Sequence, residues 1–279
     1  MLKTRIATAI VMLGILLPVL FLLPPIYLSG LFFLVLVAAA WEWSRLIAPN
    51  ASYAAYFYAL VCAMIVLFLG LFAIPTVEIA LLSIALAFWL IGMPMILSQG
   101  IHLSLLRWRF IFSVLGFIIL PTAWLSLDVL REIGLWWLLS ALILVWLADI
   151  GAYFVGKSFG RRKLASQISP GKSVEGAVGG LVLCLMYATA CAWYFPAGDT
   201  LFGASQSKWG WGWMLLMTVI LVAYSIMGDL FESQLKRIAK VKDSSHLLPG
   251  HGGIMDRLDS IVLTAPALWL VLELVKYYS

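Results

Sequence analysis

Only 13 of the 279 residues in this chain are acidic, and seven of them fall in or beside two short basic stretches: Asp149, Glu175, Asp229, Glu232, Asp243, Asp256 and Asp259. An ionisable group near membrane depth is costly unless it is paired, hydrated or bound to metal, so each is a functional candidate. The densest stretch, residues 228–260, reads GDLFESQLKRIAKVKDSSHLLPGHGGIMDRLDS. In its first part Asp229, Ser233 and Arg237 recur every four residues and share one helix face. It then breaks at Pro249, Gly250, Gly252 and Gly253, where backbone N–H groups can approach an anion closely and His251 can add a donor. The same glycines would also suit a plain tight connector. Asp256 and Asp259 are three apart at the start of a helix, on one side of its first turn, where aspartates also serve as caps. Arg257 and the basic helix before them suit a site for metal and phosphates.

The second stretch, residues 146–180, contains SPGKS. It is not a phosphate-binding P-loop, because Ser166 stands where that motif needs glycine and no strand precedes it. Lys172 and Ser173 can still cap the following helix and offer a cation and a hydroxyl to phosphate. Gly176 and Gly180 read first as a helix-packing face. No nucleophile elbow, zinc-protease motif or Ser/His/Asp arrangement is present. If the nucleophile were an already ionised phosphate, the site would need positioning and charge neutralisation more than a strong base. Cations at Lys236, Arg237, Lys242 and Arg257, with carboxylates and a glycine-rich loop, therefore suit phosphate-on-phosphate chemistry with a divalent metal.

The elements that must position these groups are membrane helices. The chain is 64% hydrophobic and 11% charged with a mean hydropathy of +1.05, whereas a soluble domain carries roughly a quarter of its residues charged. That excludes a disordered chain, a nucleic-acid-binding domain, a disulfide scaffold and a conventional soluble enzyme. Cys62, Cys184 and Cys191 lie in apolar runs and read as small hydrophobes. Apolar runs near 6–24, 28–46, 54–74, 78–97, 110–128, 134–155, 174–194, 211–231 and 259–277 predict an all-α polytopic membrane protein of about nine transmembrane helices, the first two split by Pro24 and Pro25. The first run follows Lys3 and Arg5 as a signal peptide would, but without a small-residue cleavage site it reads as a retained helix. With the N-terminus cytoplasmic, 15 of the 18 Lys and Arg fall inside, and loops 156–173 and 232–258 put the site at the cytoplasmic face. Trp209, Trp211 and Trp213, with Trp136 and Trp137, then form an outer aromatic belt.

Residues 233–259, SQLKRIAKVKDSSHLLPGHGGIMDRLD, resemble the signature of the phosphatidate cytidylyltransferase, or CDP-diacylglycerol synthase, family at about a dozen specified positions. Asp149, Tyr153, Gly156, the FG-x-x-K-L pattern ending at Lys163 and Leu164, and ISPGKSVEG are similar to it as well. The likeness covers the C-terminal half; the first 140 residues share only several apolar spans. It implies transfer of CMP from CTP to phosphatidate, with pyrophosphate released and CDP-diacylglycerol formed in the cytoplasmic leaflet, here of a bacterial inner membrane. It also implies Mg²⁺ at a paired-metal centre and a homodimer. Carried onto this chain, the metal role falls first to Asp229 and Asp256, with Asp243 and Asp259 in support.

Residues 1–140 are accordingly expected to serve packing, dimer or lipid-access roles, and residues 141–279 to carry catalysis. Catalytic work is expected of Asp229, Asp256, Lys236, Arg237 and His251, and substrate binding of Lys172, Ser173, Ser233, Lys242, Gly252, Gly253 and Arg257. Two rivals compete with this reading. A transporter for a phosphorylated solute would explain the spans, but no inverted repeat is evident and the polar residues gather at one face. A CTP-dependent polyprenol kinase would share much of the chemistry, and His251, Asp256 and Asp259 disfavour it.

Overall fold

A computed structural model describes residues 2–49, 52–195 and 197–277. Every predicted apolar run lies on a helix: α1 (Leu2–Phe21), α2 (Pro25–Ile47), α3 (Ser52–Phe72), α4 (Pro75–Ala87), α5 (Met93–Ser98), α6 (Leu105–Ile133), α7 (Leu135–Phe159), α8 (Val174–Tyr194), α9 (Leu201–Ile238) and α10 (Met255–Tyr277). A π-helical turn, Phe88–Gly92, joins α4 to α5, so Pro75–Ser98 is one apolar crossing. Among the described residues seven helices are long and apolar enough to cross a membrane. Together with α1 and α10 they form the helical body of an integral membrane protein. Pro25 opens α2 at its first turn, where a missing N–H costs nothing.

Two features differ from the expectation. The helix expected over 211–231 runs on to Ile238, and a second helical segment precedes it from Leu201, capped by Thr200, which accepts a hydrogen bond from the Gly203 N–H at 3.0 Å. The two segments meet at Gly210, whose φ of +82° L side chains rarely adopt, so the Trp-rich stretch spans a kink between helices. The fold is also not purely helical. Lys163–Ala165 (β1) and Ser169–Ser173 (β2) pair antiparallel inside the loop over 156–173. Pro170 is tolerated there because a two-stranded ribbon is all edge.

Packing between α7 and α8 is backbone to backbone. A Cβ on Gly180 would meet the Ala148 carbonyl oxygen at 2.4 Å, and one on Gly176 would meet that of Ala152 at 2.7 Å. The glycine pair is thus a packing face, as small residues are where membrane helices approach closely. Gly180→Ala should therefore cost about 1–3 kcal/mol by overpacking. It should lower the thermal midpoint in detergent; an unchanged midpoint would contradict the close approach.

At the heart of the bundle the Phe231 ring on α9 lies 6.0–6.2 Å from those of Trp43, Trp89 and Phe112. This cluster fixes α9 against α2, the α4–α5 crossing and α6 just inside the charged end. At the opposite end Trp137 donates to the Gly198 carbonyl at 2.6 Å and Trp136 packs on Phe195. The ends of α2, α7 and α9 and the starts of α8 and α10 therefore share one face of the molecule, where the basic loops lie.

Candidate active site

Two clusters form at this shared end. In the first, Ser173 caps α8 by accepting the Gly176 N–H at 3.1 Å. Lys172 beside it forms an ion pair with Asp229 on α9. Ser233, one turn on, donates to the other Asp229 oxygen at 3.3 Å. Arg237 leaves this face: its Nε donates to the Ile168 carbonyl at 3.3 Å and ties the β1–β2 hairpin to α9.

In the second, Lys236 lies between two carboxylates, pairing with Glu232 one turn before it and with Asp256 Oδ1 at 2.6 Å. The other Asp256 oxygen accepts the Gly253 N–H at 2.8 Å, the Ser244 N–H at 2.9 Å and the Ser244 hydroxyl at 3.1 Å. Burial works against the Asp256 charge, but Lys236 and these N–H groups outweigh it and hold the carboxyl below the usual carboxylate range. Because the folded value is depressed, this pairing stabilises the fold at neutral pH and is lost as pH falls through the lowered value.

The glycine-rich turn closes around Asp256. Leu248 donates to the Gly252 carbonyl at 2.9 Å, and His251 to that of Leu248 at 2.8 Å. Gly250 and Gly252 take φ +77° and +82°. A Cβ at Gly252 would meet Asp256 Oδ2 at 2.6 Å, so glycine is required there for the close approach. The expected use of these amides for a substrate phosphate is thus met differently, with the Gly253 N–H already turned to the protein's own carboxylate. The His251 carbonyl accepts the Arg257 guanidinium at 2.7 Å, and its ring Nδ1 is buried without a hydrogen-bond partner among the described residues. Lys242 and Asp243 are exposed, Asp243 beside Gly252.

Asp259, one turn after Asp256, accepts the Ser260 N–H at 2.8 Å. It feels the charges of Asp229, Asp149 and Lys236, and Asp149 on α7 feels those of Asp229 and Lys172. Three carboxylates from α7, α9 and α10 thus face a common region lined by two lysines. Among the described residues no three His, Cys, Asp or Glu side chains are grouped tightly enough to hold a metal ion by themselves. Magnesium seldom needs such a cage, because it usually takes one or two carboxylates and completes its shell with substrate phosphates and water. The donor set fits that mode through one or two of Asp229, Asp259 and Asp149: Asp229 would have to release Lys172 or Ser233, whereas Asp256 is tied to Lys236, to the Gly253 N–H and to both donors of Ser244.

One group at this end was missed by sequence reasoning. Glu42 on α2 is fully buried and accepts from the Ser244 and Ser245 hydroxyls and from the N–H groups of Ile254 and Met255. A lone carboxylate near the end of an apolar run was the available signal.

Known proteins resemble this chain, two of them over nearly its whole length. Residues 3–275 match a family described as the cytidylyltransferase family. A phosphatidate cytidylyltransferase of Pseudomonas aeruginosa is 38% identical over 273 residues, 95% of each chain. One of Haemophilus influenzae is 35% identical over 285 residues, 95% of this chain and 96% of its own. One of Bacillus subtilis is 40% identical over 178 residues, 61% of this chain and 62% of its own.

Proposed function

This chain belongs to the cytidylyltransferase family, and on that premise we propose that it transfers CMP from CTP to phosphatidate, releasing pyrophosphate and forming CDP-diacylglycerol for phospholipid synthesis. The observation that carries the reading is the convergence of Lys172, Lys236, Asp149, Asp229, Asp256 and Asp259 at one end of a membrane bundle. Cations beside carboxylates at that depth suit a site that receives a lipid phosphate and a nucleotide triphosphate together.

In the reaction a phosphatidate oxygen forms a bond to the α-phosphorus of CTP while the bond from that phosphorus to the bridging oxygen breaks, and pyrophosphate departs with the electron pair. A phosphate monoester has its second pKa near about 6, so the nucleophile is already largely ionised and no strong base is required. The repulsion between the two anions must instead be offset, at about 4 kcal/mol for each like pair 4 Å apart at an effective dielectric of 20. Lys172 and Lys236 supply positive charge, and each can turn from its carboxylate to an incoming phosphate. Arg257 and Lys242 stand at the exposed rim, suited to steering the triphosphate inward. One or two of Asp229, Asp259 and Asp149 would hold Mg²⁺ together with the substrate phosphates, and the ion when bound supplies Lewis-acid stabilisation of the phosphoryl charge. Asp256 keeps Lys236 and the glycine turn in register with them.

The basic character of the shared end supports a cytoplasmic site and a cytoplasmic N-terminus, in an inner membrane like those of the bacterial relatives. A homodimer is part of the same reading, with apolar faces of the N-terminal helices free to pack against a second copy. Purified protein in detergent should release pyrophosphate only when CTP, phosphatidate and Mg²⁺ are all present. Release without phosphatidate would overturn the acceptor assignment.

A further inference from the structure

We propose that Glu42 is a positioning residue of the active site: without touching substrate, its carboxylate fixes segment 244–255 and thereby the place of Asp256. The inference rests on the reading above, in which Asp256 is essential, and adds to it a residue from the N-terminal half. A carboxylate offers about four acceptor positions. Here one oxygen takes the Ser245 hydroxyl and the Ile254 N–H at 3.0 Å, and the other takes the Ser244 hydroxyl at 3.0 Å and the Met255 N–H at 2.6 Å. Both oxygens are engaged by the segment it holds, so it acts through these donors.

What those donors are gives the residue its role. Ile254 and Met255 carry N–H groups at the start of α10, where the helix leaves amides unsatisfied and favours negative charge. Ser244 and Ser245 stand on the far side of the glycine turn, so one carboxylate closes both ends of the segment on itself. The Ser244 hydroxyl is shared, reaching Glu42 at 3.0 Å and Asp256 at 3.1 Å, and Asp256 directly follows Met255. A Cβ at Gly253 would lie 2.5 Å from a Glu42 oxygen, so this turn can close only with glycine at that position. Glu42 is held in turn by its neighbour Trp43, which is buried, donates to the Phe112 carbonyl at 3.1 Å and packs on Phe231. Support thus passes from α6 through α2 to the loop and to Asp256.

Glu42→Gln keeps the size but sets an amide donor against two of the four donors. Its kcat should fall roughly ten- to hundredfold, the equivalent of losing a hydrogen bond to a charged group. KM for CTP should stay within about threefold, because Glu42 does not touch the nucleotide and its loss lowers the fraction of well-organised sites. In the metal-free, nucleotide-free protein, hydrogen exchange of the peptide over 244–257 should quicken while peptides from α3 and α8 keep their wild-type rates. A general structural role would instead quicken exchange throughout and lower the active fraction without this local signature. Should Glu42→Gln fail to fold, Ser245→Ala removes one of the four donors and should show the same local exchange with a several-fold loss of kcat. Wild-type kcat and wild-type exchange in the folded variant would overturn the proposal. Asp256→Asn separates the two readings: if it stays active, the account of the site itself fails, whereas an inactive Asp256→Asn beside a wild-type-like Glu42→Gln removes only the role of Glu42.

Discussion

Asp256→Asn should lower turnover by about 10²–10³-fold, the range that removal of one preorganised electrostatic contact costs. The substitution is nearly isosteric, and its carbonyl oxygen can still accept from Gly253 or Ser244. What it cannot do is balance Lys236. The amide NH₂ placed 2.6 Å from that ammonium offers a donor to a donor, so Lys236 leans towards Glu232 and leaves the phosphate region. The glycine turn loses the anion around which Gly252 and Gly253 are wrapped. Stability should fall less than activity, because Glu42 still holds the same segment through the Ser245 hydroxyl and the N–H groups of Ile254 and Met255. Assay of CTP turnover beside the thermal midpoint in detergent checks both halves. Activity within tenfold of wild type, taken as about 1.4 kcal/mol of barrier, would mean that Asp256 does not organise the reaction.

Lys236→Met should be the most damaging single change to stability at this end. It leaves Glu232, 1% exposed, and Asp256 without the cation that lies between them. Breaking a buried ion pair from one side costs about 3–5 kcal/mol, because a charge stays behind in a poorly solvated place. The midpoint should drop sharply and activity should vanish. Adding Glu232→Gln removes one of the two stranded charges, so the double variant should regain part of the stability and none of the activity. If Lys236→Met is as stable as wild type, the two carboxylates are not charged neighbours of one lysine and the second cluster is misread.

The helices were legible because membrane spans announce themselves: about 20 apolar residues in a row can hardly be anything else at this composition. The nine runs therefore lie on the helices, and the glycine pair at 176 and 180 meets α7 as its spacing suggested. Less legible was the entry to α9, where Ser, Lys, Gly and Trp read as interface residues although the Thr200 cap starts a helical segment that reaches them and kinks at Gly210. The hairpin over Lys163–Ser173 escaped because Pro170 and Gly171 look like a loop and its pairing depends on the packing of Ile168 near α9. In the site, chain-local relations were readable: Asp229 to Ser233 is one helical turn, and Ser173 to Gly176 is a cap. Partnerships across the chain were not. Lys172 with Asp229, and Glu42 with residues more than 200 positions away, come from helix packing, which periodicity does not encode. The cations singled out for phosphate lie at this end, and Lys236, Arg237 and Arg257 already face protein acceptors, so binding a phosphate there would exchange partners.

The central claim is that this end of the bundle moves CMP, and not a terminal phosphate, onto a lipid phosphate. It is tested most directly by giving the purified protein phosphatidate and Mg²⁺ with CTP labelled either at the α- or at the γ-phosphorus, and counting label in the extracted lipid. The account predicts that α-label enters the lipid, that γ-label stays in released pyrophosphate, and that neither moves in Asp256→Asn. Label from the γ-position in the lipid would identify a CTP-dependent kinase and contradict it.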